Sequence, residues 1–314
     1  MTFTVSIKDE IVEQESTRSE LIAELSAYIR NNGNINKDSI TLTTENINII
    51  DRIKNSLKTL FDIEVSEEII ENLNFSKNKL YQLTIDTKLD TIFKTLGIYD
   101  DNNKYLQVVP NYIIGANEEI RAYIRGSFLA SGSISDPQKS RYHMEILVIE
   151  PEEAVFVQKL LNLFDLNAKI LSREKGYMIY IKEAEKISDF IKILGANKSV
   201  MYYENVRVYR SQKNKTNRLN NCEQANMDRV FETASQQLKQ IEIIEQNDGL
   251  MLLDDRTKIT AEYRKKYPEA SLKELAEIMS IETGKTITKS GLNHRLRRIK
   301  ELAKEFEKMS KEAE

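Results

Sequence analysis

The strongest constraint on what this chain can fold into is that its first two-thirds is written twice. L-S-A-Y-I-R-N-N-G-N-I (25–35) aligns with I-R-G-S-F-L-A-S-G-S-I (124–134), and both end in Gly-x-Ile: Gly33 and Ile35, then Gly132 and Ile134. Downstream, L-K-T-L-F-D-I (57–63) matches L-L-N-L-F-D-L (160–166), and T-L-G (95–97) matches I-L-G (193–195). Three anchors in one order, at a nearly constant offset of about a hundred residues, describe one structural unit used twice.

Each unit reads as helix, two strands, helix, two strands, short helix. In the second copy the periodicity predicts a helix over 121–131 and an extended run over 142–149. An amphipathic helix over 152–163 follows, with Val155, Leu160 and Leu163 inward. Residues 168–181 read as a hairpin turning at Glu174, Lys175 and Gly176, and 187–194 as the closing helix. In the first copy Ile47–Phe61 and Leu80–Ile85 hold the matching helix and strand. Two such units are expected to form one pseudo-dimeric domain with a shared sheet.

After about Asn205 the pattern changes. Residues 207–218 look like an extended basic link. A long helix over 225–246 should turn Val230, Phe231, Ala234, Leu238 and Ile241 inward, and another over 255–267 should end at Pro268. Then S-L-K-E-L-A-E-I-M (271–279) opens with Ser271 and Glu274 at capping-box spacing, and buries Leu272, Leu275, Ala276 and Met279. K-S-G-L-N-H-R-L-R-R-I-K (289–300) buries Leu292, Leu296 and Ile299. Its opposite face presents Ser290, His294, Arg297 and Arg298, with Asn293 at the edge. The helix should continue through 300–309. M-S-I-E-T-G-K-T-I-T (279–288) reads as a longer turn than the usual three or four residues of a helix-turn-helix. A small helix with donors and cations on its outer face is what reading a DNA major groove requires.

The net charge of −3 hides a segregation. Residues 207–218 hold five Lys or Arg and no acid, and 285–300 hold six and no acid. Setting these eleven aside leaves 35 of the 46 cations against 49 Asp and Glu. Cations gathered in two places fit a local phosphate-binding footprint, although a plain basic link explains 207–218 equally well. Cys222 is the only cysteine, so an internal disulfide and a thiolate zinc site are excluded; a small buried residue between domains is its expected role. His143 lies in a strand pattern without metal-ligating company. No run of 18 apolar residues exists and residues 1–15 lack an apolar signal segment, so no membrane partner is expected. The expected location is cytoplasmic and nucleoid-associated.

The first helix of each unit, ending in a small residue and Gly, resembles the LAGLIDADG motif of homing endonucleases. The resemblance implies that the two helices pack side by side through small residues, with Ala27 and Gly126 at the internal glycine position. It places Asn32 and Ser131 where that family carries its metal-binding acids. Neither supplies the carboxylate that a divalent ion and hydrolysis need. A degenerate pair of this kind, followed first by N-R-L-N-N-C-E-Q-A-N (217–226), which resembles the family's interdomain signature, and then by K-S-G-L-N-H-R-L-R-R-I, closely resembles the WhiA family of bacterial transcription regulators. The resemblance covers nearly the whole chain.

The resulting expectation is an α+β protein: a pseudo-twofold LAGLIDADG-like αββαββα repeat domain followed by an all-α helix-turn-helix domain. Residues 1–112 and 113–205 would be the two repeats, 206–226 the basic link, and 227–314 the helical DNA-binding domain, its helix-turn-helix at about 271–300. The resemblance implies a non-catalytic, sequence-specific transcription regulator of sporulation or cell division, with no cofactor and no metal. Its partner would be double-stranded DNA at promoter regions, with another transcription or division protein as a second partner class. Ser290, Asn293, His294 and Arg297 would meet base edges or nearby phosphates. Lys289, Arg295 and Arg298 would meet phosphates. Arg207, Arg210, Lys213, Lys215 and Arg218 would track the backbone. A scaffold that is only localised to DNA stays compatible with these residues. An active endonuclease is opposed by Asn32 and Ser131.

Overall fold

The computed structural model describes residues 2–36, 38–70, 79–139 and 141–312. The chain divides into two compact units, Met1–Arg210 and Ser211–Glu314.

The first unit opens with a helix that the repeat did not announce, α1 (Phe3–Val12), capped by Thr2, whose hydroxyl accepts from the Val5 N–H. The first copy follows: α2 (Arg18–Asn32), β1 (Asn34–Ile35), β2 (Ile40–Thr44), α3 (Ile47–Phe61), β3 (Glu67–Ile70), β4 (Leu80–Ile85) and α4 (Leu89–Thr95). The second copy is α5 (Asn117–Ser131), β5 (Gly132–Ile134), β6 (Met144–Val148), α6 (Pro151–Asn162), β7 (Lys169–Arg173), β8 (Gly176–Ile181) and α7 (Ala184–Ile193). The order αββαββα therefore occurs twice. The shared Gly-x-Ile anchor has a steric cause at the helix-to-strand corner. A Cβ on Gly33 would lie 2.5 Å from the Ile29 carbonyl oxygen, and one on Gly132 2.1 Å from the Phe128 ring.

The expected shared sheet is not what forms. Each copy builds its own antiparallel sheet of four strands, in the orders β1-β2-β4-β3 and β5-β6-β8-β7. The registers correspond: Ile40 pairs with Ile85 in one, and Met144 with Ile181 in the other. One face of each sheet is apolar and buried: Ile40, Leu42, Leu83 and Ile85 in the first, Met144, Ile146, Ile179 and Ile181 in the second. An antiparallel sheet with one apolar face is covered by its own helices and needs no strand from a neighbour. The copies meet through helices instead, α2 packing along α5. Gly126 permits that approach, since a Cβ there would sit 2.1 Å from the Glu24 carbonyl oxygen.

Helix α6 is rotated relative to expectation. Leu160 is buried, but Val155 and Leu163 are exposed, because the inward stripe is Glu153, Ala154, Val157, Leu160 and Leu161. The hairpin of β7 and β8 closes at Arg173 and Gly176, where the sequence puts it.

Residues 206–226 are not an extended link. They lie inside a single helix, α8 (Asn197–Gln246), which begins in the first unit and ends in the second. No Gly or Pro occurs between 197 and 246, so nothing local stops the helix. Cys222 is exposed on it rather than buried. Ala234 and Ile241 turn inward as expected and Val230 and Leu238 are half-buried, whereas Phe231 is 63% exposed.

The second unit continues with a short 3-10 turn (Gly249–Leu252), α9 (Asp255–Lys266), α10 (Leu272–Thr283) and α11 (Lys289–Glu312). Its core joins Ile241 and Ile244 of α8 to Leu275 and Met279 of α10 and Leu292, Leu296 and Ile299 of α11. The capping box at Ser271 and Glu274 is formed. The long turn contracts, because α10 runs on to Thr283 and ends at Gly284, whose φ of 66° suits a left-handed cap. Only 284–288 separate α10 from α11. The Ile287 N–H donates to the Ser280 hydroxyl at 2.9 Å and pins this turn to α10. Among the described residues, no helix is long and apolar enough to cross a membrane.

Candidate nucleic-acid interface

Three helices set the frame of the outward surface on α11. Glu282 of α10 receives the Tyr267 hydroxyl at 2.6 Å and the Lys266 ammonium at 2.9 Å from the end of α9. These two hydrogen bonds hold its carboxyl down at about 2. Lys266 and Glu282 are far apart in sequence, so no local pattern foretold the pair. At the other corner the Gly291 N–H donates to the Thr288 hydroxyl at 3.1 Å and starts α11.

With Leu292, Leu296 and Ile299 inward, Lys289, Ser290, Asn293, His294, Arg297 and Arg298 are all exposed along one side of α11. Among the described residues, the ionic contact of Arg298 is one of 3.9 Å to Glu301 on its own helix. Arg295 stands apart. It is half-buried, and its Nη1 donates to the Thr260 hydroxyl of α9 at 3.4 Å. Its place is between helices rather than on the outer surface.

The five cations of the former link also separate. Arg207 is tied to Glu204 at 2.8 Å and Glu185 at 3.1 Å. Arg210 donates to the Pro137 carbonyl at 2.6 Å and lies over the Tyr142 ring. Both serve the first unit. Lys213, Lys215 and Arg218 are exposed on α8.

The corner that would hold a metal in an endonuclease is occupied by structural hydrogen bonds. Asn32 donates its amide to the Thr43 carbonyl at 3.0 Å and accepts the Thr43 N–H at 3.0 Å. Ser131 donates to the Leu147 carbonyl at 2.6 Å. Among the described residues, no group of three His, Cys, Asp or Glu is placed to hold a metal ion. An amide and a hydroxyl engaged with strands do not fit a divalent cation. His143 pairs with Glu145 at 3.1 Å and stacks on Tyr180.

Sequence reasoning missed a buried charge cluster between α2 and α5. Glu24 meets Arg52 of α3 through both carboxylate oxygens, and Arg125 of α5 at 3.3 Å. Arg52 also donates to the Val12 and Gln14 carbonyls at 3.1 and 2.8 Å. The only signal available was that Glu24 sits on the apolar side of α2, between Ala23 and Ala27.

Two LAGLIDADG-like copies followed by a helix-turn-helix define a class of protein in which a LAGLIDADG-like domain is joined to a helix-turn-helix domain. Three family models match in series: the WhiA N-terminal LAGLIDADG-like domain at residues 18–99, the WhiA LAGLIDADG-like domain at 120–213, and the WhiA C-terminal HTH domain at 216–303. The chain is 38% identical over 314 residues to a protein of Enterococcus faecalis named "Probable cell division protein WhiA", covering 99% of this chain and 100% of that one. It is 37% identical over 307 residues to the protein of that name from Brevibacillus brevis, covering 96% of each. The crystal structure of full-length DUF199/WhiA from Thermatoga maritima superposes with a TM-score of 0.61 at 26% identity, over 98% of this chain and 99% of that one. The chain belongs to the WhiA family.

Proposed function

We propose that this protein is a non-catalytic, sequence-specific DNA-binding regulator of transcription that acts in cell division or sporulation. The observation that carries the reading is the outward side of α11, where Ser290, Asn293, His294 and Arg297 are exposed together on a helix whose other side is core. Asn and Arg offer bidentate pairing to adenine and guanine edges. Lys289 and Arg298 flank them as phosphate contacts, with Lys213, Lys215 and Arg218 as further backbone contacts. Arg207, Arg210 and Arg295, engaged within their own units, play at most a minor part in that contact. The names of the relatives supply the cellular process. The reading places the protein in the cytoplasm, on the nucleoid, with promoter DNA as its partner.

The repeat domain is read as holding a transcription or division protein. Leu147 and Leu171 are exposed on the outer side of the second sheet, an apolar pair of the kind a protein contact covers.

Selection from a random duplex pool with Mg²⁺ present tests the function. Enrichment of one motif, with DNA of unchanged length, supports it. Absence of enrichment by a folded protein favours the scaffold alternative, and shortened DNA overturns the non-catalytic part.

A further inference from the structure

Arg264 of α9 is 1% exposed, yet among the described residues it has no counter-ion. Its Nη1 donates to the Ala270 carbonyl at 2.6 Å and the Tyr267 carbonyl at 3.4 Å. Its Nε meets no partner. Burial alone acts on its charge and pulls the guanidinium below its ordinary value. A buried cation without an anion is unfavourable, so an acceptor from outside the chain is the natural complement.

The space for one is beside it. A cavity of about 250 Å³ is bounded by Arg264, by Arg229 of α8, by Leu272 and Lys273 at the start of α10, and by Lys289 at the start of α11. Four cations thus face one hollow. The first turn of α10 adds its dipole and its end amides. The capping box takes the N–H groups of Ser271 and Glu274, which leaves those of Leu272 and Lys273 for an outside acceptor. Glu274 is the acid at this end, and its carboxylate is turned onto the Ser271 N–H at 2.7 Å. Among the described residues, the ionic contact of Lys273 is one of 3.9 Å to Glu277.

We infer that this hollow is a phosphate-binding site, with Arg264, Arg229, Lys273, Lys289 and the α10 end amides as its donors. Lys289 belongs both to the hollow and to the first turn of the recognition helix. The inference rests on the DNA-binding reading for its source of phosphate: one phosphodiester of the duplex seated here fixes the height of α11 in the groove. A free phosphate offers the same chemistry, and the experiment separates the two.

The test uses the full-length protein and duplex DNA in which single phosphates are replaced by neutral methylphosphonate. Lys273→Ala and Arg229→Ala are surface changes that spare the core, and Arg264→Gln is assayed if circular dichroism shows it folded. Expected for the parent is one position per binding site at which the neutral linkage weakens affinity by tenfold or so. At that position the variants should be insensitive. Each lysine or arginine removed should lower the log–log salt slope by about 1. A parental profile and slope retained in Lys273→Ala and Arg229→Ala overturns the inference. A second arm titrates inorganic phosphate into the DNA-free protein. A saturable rise in Tm that the variants lack, with no sensitive phosphodiester, keeps the site and assigns it to a small phosphate ligand. If no duplex binds at all, the DNA-binding reading fails by itself. The phosphate titration then decides the hollow, and a flat Tm overturns it.

Discussion

Asn32 holds Thr43 at both ends of its amide, and Ser131 holds Leu147, the residue at the corresponding register position of the other copy. The two positions that would carry metal-binding acids in an endonuclease clip the last turn of α2 and α5 to β2 and β6. Replacing Asn32 by Asp would remove the donor to the Thr43 carbonyl and set a carboxylate against it. Asn32→Asp should therefore lose about 1–3 kcal/mol of stability in denaturant unfolding. It should also leave duplex DNA uncut with Mg²⁺. Unchanged stability would mean that the clip is incidental.

Glu24 neutralises two buried guanidinium groups at the contact of the copies, those of Arg52 and Arg125. Removing Glu24 takes from Arg52 its acidic partner, while Arg125 keeps Glu20 at 3.4 Å. Glu24→Gln should lower unfolding stability by roughly 3 kcal/mol. Measured loss within a few tenths of that for a surface Glu→Gln control would show that the cluster is not needed for packing α2 on α5.

On α11, Arg297 and Lys289 should separate by kind rather than by size. Arg297→Ala should cost about 1–3 kcal/mol on the selected duplex and little on random DNA. Lys289→Ala should weaken both about equally and lower the salt slope by about 1. Titrations of both variants on both duplexes at several salt concentrations decide it, and identical behaviour contradicts the assignment of roles.

Glu153 gives the first unit a pH dependence. The Tyr123 hydroxyl donates to one of its oxygens at 2.5 Å, and the other oxygen is buried without a partner. Burial raises its carboxyl above the usual 4.5, against the smaller opposing pull of the Tyr123 hydrogen bond. The folded state then binds this proton more tightly than the unfolded chain does. Its contribution is fullest below 4.5 and is lost as pH rises through the folded value. Glu153→Gln keeps an acceptor for Tyr123 and does not ionise. It should be more stable than the parent at neutral pH, with the gap closing toward pH 4.5. Urea midpoints across that range would show a constant gap if the carboxyl were not responsible.

Much of this was legible in the residues. Gly33 and Gly132 marked the same corner in both copies, and Ser271 with Glu274 marked the start of α10. Leu292, Leu296 and Ile299 told which side of α11 faces the core, and so which side carries Asn293 and Arg297. The pattern misplaces Val155 and Leu163 because a stripe of side chains fits it in more than one rotation, and only the sheet beneath α6 chooses between them. The basic segment from Arg207 to Arg218 has the composition of a link. Exposure holds for Lys213, Lys215 and Arg218 but not for Arg207 and Arg210, and a run without Gly or Pro stays helical.

The sequence by itself determined the duplication, the order of elements within each copy, the start of α10 and the outward face of α11. These depend on local periodicity and on contacts within a turn or two. Only the tertiary structure decided that each copy closes its own sheet and that Asn32 is engaged with Thr43. It also decided that Glu24 lies between two arginines and that Arg264 is buried beside a hollow lined with cations. Those outcomes depend on which surfaces exclude water from one another, and no local pattern carries that information across a hundred residues of chain.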